Sequence, residues 1–257
     1  MSILLQNRVQ NRVALAGGLL ALAAPLWAAD LPAPVRALQK EGVEIVAPFK
    51  APGGLAGYAA MVGKRPVAIY MTPDGKQAIL GTMVGARGED MSKAVLDKLV
   101  GKPLAAKTWK ELAASAWIAD GSAKAARVVY VFTDPNCPYC NKFWKDARPW
   151  IDTGKVQLRH IMVGILGPTS PGKAAALLSA DDPAAALRDH ESRKSEATAL
   201  AKLPARAAAQ LQGNHTLMQQ MELGATPAIL YLDSAGLLQI EQGAPQPAKL
   251  AEILGAR

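Results

Sequence analysis

The sequence predicts an α+β protein of two domains joined by a helical linker. Three observations support this prediction. Strand-like segments flank a Pro-Asp-Gly turn within residues 66–83, which predicts a hairpin in the first part of the chain. Helical periodicity follows over residues 89–119, and strands and helices then alternate towards the C-terminus, as in α/β domains. The length of 257 residues suits two modest domains or one large domain.

The N-terminus has the pattern of a secretory signal peptide, residues 1–28. Arg8 and Arg12 precede an uncharged apolar run at residues 13–24, and Ala28 offers a small residue for cleavage. The run is too short for a comfortable membrane span, so we expect cleavage after about Ala28; the alternative is an uncleaved membrane anchor. No later segment approaches the roughly 18 consecutive apolar residues of a span, so the mature chain is expected to be soluble.

Residues 29–88 are predicted to form a small domain. A short helix at residues 34–40 ends near Gly42, a strand follows at residues 43–46, and the hairpin turns at residues 72–75. About sixty residues with few large apolar side chains would bury only a marginal core, because small domains bury a smaller fraction of their surface. We therefore expect this domain to dimerise through its apolar face or an edge strand.

Residues 89–119 are predicted to form the helical linker. Apolar residues in its first half share one helical face, and a break is expected at residues 101–103. Thr108 and Glu111 have the spacing of a capping box for a second helix. That helix would carry Trp117 as a packing residue, because apolar residues at helical spacing usually mark a buried face.

Residues 120–257 are predicted to form an α/β domain with a helical insertion. Residues 127–132 form a continuous run rich in β-forming residues, as expected of a strand buried on both faces. A second strand is predicted at residues 155–163, with His160 as a partly exposed strand residue rather than a catalytic base. The Ala-rich, polar residues 168–221 are predicted to form the insertion. The remaining predicted elements are strands at 226–232 and 237–243 and a helix at 247–254.

The two cysteines of the chain, Cys137 and Cys140, lie between a predicted strand and a predicted helix. Three positions apart on one helical turn, they can close a small disulfide ring. Cys137 would lie at the helix N-terminus, where unpaired N–H groups and the helix dipole favour a thiolate. Such sites lower a cysteine pKa from about 8.5 to about 3.5–7.5, and the thiolate attacks disulfides. We therefore predict a redox dithiol in which Cys137 is the nucleophile and Cys140 the resolving thiol.

Two other interpretations of the cysteine pair remain open. A tetrahedral zinc site would need two more nitrogen or sulfur ligands, and none of His160, His190 and His215 pairs with another at ligand spacing. A purely structural disulfide across two intervening residues would constrain very little chain entropy. The dithiol interpretation requires neither a metal nor another cofactor.

The charge pattern does not indicate nucleic acid as a partner. The formal net charge is +8, but lysines and arginines are dispersed, without a run of five or more and without an aromatic-rich basic stretch. We therefore expect a solvated basic surface.

Pro227 stands at the mouth of a predicted interior strand, where it cannot donate to the sheet ladder. A cis Thr226–Pro227 bond in a tight loop beside the dithiol would explain its position; the alternative is a trans proline that begins an edge strand. In the first case the Thr226 hydroxyl could hydrogen-bond near Cys137 and stabilise the thiolate.

The order of these motifs resembles a known family. A strand ending in Val-Phe-x-Asp-Pro-x-Cys-Pro-Tyr-Cys, a helical insertion, and Thr-Pro-Ala-Ile before a hairpin are similar to a thioredoxin-fold domain. The chain as a whole resembles the DsbC/DsbG family of periplasmic thiol:disulfide interchange proteins. Pro138 and the lack of a third cysteine favour the DsbG branch, because DsbC carries Cys-Gly-Tyr-Cys and an additional structural disulfide. A monomeric DsbA-type oxidase would not need residues 30–119. The segments that carry the family resemblance are 31–35, 51–54, 72–76, 147–150 and 154–159.

The resemblance implies a homodimer held by cystatin-like N-terminal domains, with two thioredoxin-like domains facing a shared cleft. It implies a disulfide isomerase or reductase that a DsbD-like membrane thiol reductase keeps reduced. Such a protein also reduces sulfenylated cysteines and binds unfolded or misoxidised periplasmic proteins. The alternatives are a net oxidase of the DsbA type and a non-catalytic periplasmic chaperone. The implied site residues are the catalytic pair Cys137 and Cys140 and the substrate-binding residues Thr226, Pro227, Pro138 and Tyr139.

Overall fold

The structure, a computed structural model, describes residues 31–256. The expected signal peptide at residues 1–28 lies outside the described residues. The described chain forms a four-stranded sheet and a five-stranded sheet, joined by a helical segment. Within residues 31–256, no helix is both long and apolar enough to cross a lipid bilayer.

The first sheet is an antiparallel meander that packs against one helix, α1. Its core contains Val35 from the helix and Ala60 and Ile69 from the sheet, all fully buried. The hairpin predicted around residues 72–75 is present. The sequence analysis does not predict the second strand, because its Ala- and Gly-rich residues lack a clear alternating pattern. The elements are α1 (Ala33–Lys40), β1 (Glu44–Lys50), β2 (Ala56–Val62), β3 (Arg65–Met71) and β4 (Ala78–Leu80), and the strands pair in chain order.

A continuous helical segment connects the two sheets. It consists of α2 (Lys93–Leu96), a π-helical turn (Asp97–Gly101) and α3 (Lys102–Ala114). The predicted break at residues 101–103 is wrong, because the helix continues through a π-helical turn that lies just before Pro103, where proline cannot make the regular α-helical hydrogen bond. The predicted capping box is also wrong, because Thr108 is buried inside α3.

The second sheet has the strand order β5-β7-β6-β8-β9. Strands β6 and β7 are parallel, and the other neighbours are antiparallel. Trp117, predicted on the linker helix, instead begins the first strand of this sheet. The strands are β5 (Trp117–Asp120), β6 (Arg127–Thr133), β7 (Val156–Met162), β8 (Ala228–Leu232) and β9 (Leu238–Gln242).

Helices cover both faces of this second sheet. Phe143 and Ile253 belong to the core on one face, and Leu112 of α3 and Leu217 belong to the core on the other. Three helices, α5 to α7, occupy residues 168–221, and their prolines lie at or just before helix N-termini, where proline is tolerated. The helices are α4 (Pro138–Ile151), α5 (Ser170–Leu178), α6 (Pro183–Glu191), α7 (Ala205–Gln220) and α8 (Pro247–Leu254).

His160 is 1% exposed, so the prediction of a partly exposed residue is wrong. The reason is that β7 is an interior strand, between β5 and β6. The His160 Nδ1 atom lies 3.1 Å from Thr133 Oγ1, and Nε2 lies 3.7 Å from Asp120 Oδ2. Burial alone would raise the pKa of Asp120, but the nearby His160 ring and hydrogen bonds from Arg148 hold it well below its usual range. His160 therefore belongs to a buried polar cluster within the fold.

Candidate active site

The end of β6 and the start of α4 position Cys137 at the N-cap of α4. Its backbone is extended, and its Sγ accepts a hydrogen bond from the Cys140 amide at 3.1 Å. Pro138 lies in the first turn, where its missing N–H leaves no helical hydrogen bond unmade. The Cys137 and Cys140 side chains are free thiols, and the residues are 4% and 3% exposed. The first thiol therefore lies at the N-terminal end of the helix, as the sequence predicts.

The two thiols differ in acidity. The pKa of Cys137 is lowered from 9.0 to about 6, chiefly by a hydrogen bond from the Cys140 side chain. Thr226 and the backbone at Cys140 and Tyr139 also lower it, whereas burial opposes them. Burial raises the pKa of Cys140 far above its usual range, and the hydrogen bond and charge of Cys137 add to this effect. At neutral pH, Cys137 is therefore mainly a thiolate and Cys140 remains a thiol.

The loop before β8 lies against Cys137. The Thr226–Pro227 peptide bond is cis, and the Cys137 Sγ atom lies 3.3 Å from the Thr226 carbonyl oxygen, to which it donates when the thiol is protonated. The Thr226 Oγ1 atom is buried and has no hydrogen-bond partner in the described part of the chain. A thiolate at Cys137 would offer that hydroxyl an acceptor. The fold thus brings together Cys137 and Thr226, which are 89 positions apart in the sequence.

Apolar side chains are exposed near the dithiol. Tyr139, between the two cysteines, is 60% exposed. Ile165 and Leu166, on the loop after β7, are also exposed, and their N–H groups bind the carboxylate of Asp134, three residues before Cys137. Tyr139 was predictable from its place between the cysteines, whereas nothing in the sequence near Ile165 and Leu166 indicates that their loop lies beside the dithiol.

Asp134 anchors the turn that carries Cys137, and the sequence analysis assigns it no role. Its fully buried carboxylate accepts hydrogen bonds from the N–H groups of Asn136 (2.8 Å), Ile165 (2.7 Å) and Leu166 (3.0 Å) and from Ser170 Oγ (2.9 Å). A buried carboxylate needs such donors, because an unpaired charge is costly to remove from water. The only local signal was the Asp-Pro dipeptide, which favours a turn.

His190 supports the same turn from α6. Its Nε2 lies 2.8 Å from the Pro135 carbonyl oxygen, and its Nδ1 accepts a hydrogen bond from the Ala197 N–H at 3.1 Å. Because Nδ1 accepts, we assign the proton to Nε2 and treat the ring as neutral.

The third histidine, His215, accepts a hydrogen bond at Nε2 from the Gly164 N–H. Burial lowers the pKa of His215, and the charge of Asp134 opposes this effect. In residues 31–256, no group of His, Cys, Asp and Glu side chains is arranged to hold a metal ion.

Comparison with known proteins agrees with this geometry. A family model described as a thioredoxin-like domain matches residues 118–257. A protein of Pseudomonas aeruginosa named thiol:disulfide interchange protein DsbG is 52% identical over 252 residues, covering 96% of this chain and 98% of that protein. The DsbG of Escherichia coli is 41% identical over 236 residues, covering 91% of this chain and 95% of that protein. The chain belongs to the DsbG family.

Membership of the DsbG family confirms the resemblance found in the sequence. The chain is a thiol:disulfide interchange protein of mixed α/β fold with a thioredoxin-like domain. Among solved structures, the catalytic domain of Proteus mirabilis ScsC is similar, with a TM-score of 0.49 and 23% identity over 60% of this chain and 96% of that chain.

Proposed function

We propose that Cys137 and Cys140, in the sequence Cys-Pro-Tyr-Cys, are the dithiol through which this chain exchanges disulfides. The observation that carries the proposal is the difference in acidity between the two thiols: the pKa of Cys137 is about 6, whereas that of Cys140 is raised. The thiolate is the species that attacks a disulfide, so Cys137 attacks and Cys140 resolves.

The exchange needs no other group. The Cys137 thiolate attacks one sulfur of a substrate disulfide, the S–S bond breaks, and the second substrate sulfur leaves as a thiolate. If another substrate thiolate then attacks the mixed disulfide, the substrate disulfide is rearranged and Cys137 is released without net oxidation. If Cys140 attacks the Cys137 sulfur instead, a Cys137–Cys140 disulfide forms, and the reduced substrate leaves as a thiolate that takes up the Cys140 proton. A sulfenylated substrate cysteine would react in the same way, with hydroxide as the leaving group.

Substrate binds, in this proposal, against Thr226, Pro227, Pro138 and Tyr139. The contact between Cys137 and the Thr226 carbonyl supports this arrangement, because it places the loop within reach of a segment whose sulfur Cys137 attacks. An extended substrate segment can pair with the backbone of such a loop as an added strand would. The exposed side chains of Tyr139, Ile165 and Leu166 would hold apolar parts of unfolded chains, which also supports a chaperone activity.

The N-terminal domain, residues 29–88, is proposed to be cystatin-like and to hold a homodimer. The helical linker predicted at 89–119 ends before β5, which belongs to the sheet of the catalytic domain, so the catalytic domain predicted at 120–257 begins at Trp117. The strand β4 supports the proposed homodimer, because it lies at an edge of the first sheet and its Ile79 is 59% exposed. Ile79→Lys should halve the mass measured by sedimentation, because the charge disrupts an apolar interface. Ile240→Lys, an exposed position on edge strand β9, is the matched control and should remain a dimer. A dimeric Ile79→Lys protein would exclude this edge as the interface.

We propose that a cleaved signal peptide delivers the chain to the periplasm. Isomerase and reductase activities require a reduced dithiol, so we also propose that a DsbD-like membrane reductase returns two electrons to it. Thiol trapping in cells tests this directly. Predominantly reduced Cys137 and Cys140 are expected, and a predominantly oxidised pair would favour a net oxidase of the DsbA type.

The roles of the two cysteines are tested by trapping substrates. Cys140→Ala cannot resolve a mixed disulfide, so the variant should accumulate substrate proteins bound through Cys137. The Cys137→Ser variant is the control and should accumulate none. Substrates bound through Cys140 in the Cys137→Ser variant would contradict the assignment.

A further inference from the structure

A small polar cavity of about 140 Å³ opens beside Cys137. One wall is the turn that carries Cys137, together with Asn141 one helical turn further along α4. The opposite wall belongs to the helical insertion and carries two carboxylates, two cations and an imidazole: Glu191, Glu196, Lys173, Arg193 and His190. Because a water molecule takes up about 30 Å³ in the liquid, the cavity has room for roughly four or five waters or for one side chain.

Glu191 presents a buried carboxylate to this cavity. It is the last residue of α6 and is 3% exposed. Its Oε2 accepts a hydrogen bond from Asn141 Nδ2 at 2.7 Å, and the same amide donates to the Glu191 carbonyl oxygen at 2.6 Å. No cationic side chain in residues 31–256 forms an ion pair with it. Burial and the C-terminal end of a helix both disfavour a negative charge, so one amide donor leaves this carboxylate poorly compensated.

The other charged groups of the cavity already have partners. Glu196 pairs with Arg193 at 2.7 Å and with Lys173 at 3.7 Å. Both ring nitrogens of His190 are engaged, one with the Pro135 carbonyl and one with the Ala197 N–H. A carboxylate can accept about four hydrogen bonds, and Glu191 accepts one from a side chain, so among the lining carboxylates Glu191 is the one with capacity for a cationic ligand.

We propose that this cavity is a substrate subsite for a cationic side chain, lysine or arginine, that lies near the reacting cysteine of the substrate. The inference rests on the proposed function, since the subsite is defined by its position beside the nucleophile Cys137. An ammonium or guanidinium group would give Glu191 a charge-assisted hydrogen bond within a largely buried site. A substrate carboxylate would instead meet the unpaired charge of Glu191, and the cations of the lining, Lys173 and Arg193, are already paired with Glu196.

The test uses the reduced full-length protein and short peptides that carry one cysteine as a mixed disulfide with mercaptoethanol. Lysine, methionine or glutamate is placed at each of the positions flanking that cysteine, and single-turnover reduction is followed by chromatography. At the position that reaches the cavity, lysine should react about fivefold or more faster than methionine, because a hydrogen bond to a charged group outweighs a neutral contact. The peptide with glutamate at that position should be reduced most slowly. Equal rates for lysine and methionine at every position would overturn the proposal.

Glu191→Gln keeps the shape and the hydrogen bond to Asn141 but removes the charge. It should lose the preference for lysine, whereas Glu41→Gln, an exposed carboxylate of the N-terminal domain, should keep it. An undiminished preference in Glu191→Gln would also overturn the proposal. If that variant does not fold, the wild-type peptide series alone decides the outcome. A Cys137→Ser protein that still reduced the peptides would refute the proposed nucleophile, which is a different result from a missing preference.

Discussion

Replacing Cys140 with alanine should raise the pKa of Cys137 from about 6 to between about 7 and 8. The hydrogen bond from the Cys140 side chain is the largest contribution that lowers this pKa. A hydrogen bond to a charged group contributes roughly 1.5–3 kcal/mol, and one pKa unit corresponds to about 1.36 kcal/mol, so its loss shifts the pKa by about one to two units. The backbone N–H at position 140 and the Thr226 side chain remain and prevent a return to the ordinary value.

Cys140→Ser provides the matched control, because serine retains a donor at the same position. Its Cys137 pKa should stay within about half a unit of the wild-type value, since a hydroxyl replaces the thiol donor. The pKa is measured from the ultraviolet absorbance of the thiolate or from alkylation rates across pH. An alanine variant with the wild-type pKa would refute the hydrogen bond as the main cause. If the Cys137 pKa rises as far in the serine variant as in the alanine variant, the cause is packing around the sulfur and not the hydrogen bond.

Three further predictions follow from the same contacts. Thr226→Val should raise the Cys137 pKa by up to about one unit with little change in melting temperature, because it removes a buried hydroxyl that has no other partner. The same titration measures this pKa. Asp134→Asn should lower the free energy of unfolding in urea by about 2–4 kcal/mol, because an amide cannot accept four hydrogen bonds as the carboxylate does. The pKa of Cys137 is lower in the folded state than in the unfolded state, so the thiolate stabilises the reduced protein. This stabilisation is lost as pH falls through about 6. It increases as pH rises towards 9.0 and reaches roughly 2–3 kcal/mol at pH 8. Urea unfolding of Cys137→Ala should lack this pH dependence.

Local signals in the sequence were sufficient for part of the fold. The Pro-Asp-Gly turn at residues 72–75 and the helix Pro247–Leu254 depend on neighbouring residues, and both are found where the sequence predicts them. The position of Cys137 at a helix N-terminus was also predictable, because Pro138 and the preceding strand mark the start of α4. Each of these features is decided within one turn or one helix.

Other features depend on which segments become neighbours, and the sequence does not specify this directly. The burial of His160 follows from the strand order, which puts β7 inside the sheet. The continuous helix through Pro103 depends on a π-helical turn, which the sequence Gly-Lys-Pro does not predict. Asp134 binds Ser170, and His190 binds Pro135, across 36 and 55 positions in the chain. Such long-range partners explain why the sequence analysis found the dithiol but missed the residues that support it.

Alkylation of the reduced protein as a function of pH, with each cysteine quantified by mass spectrometry, tests the roles of the two thiols most directly. Cys137 should be modified with a midpoint near pH 6, and Cys140 should remain unmodified at the same pH, because its proton is held by burial and by the neighbouring thiolate. Faster modification of Cys140 than of Cys137 at mildly acidic pH would contradict the assignment of nucleophile and resolving thiol.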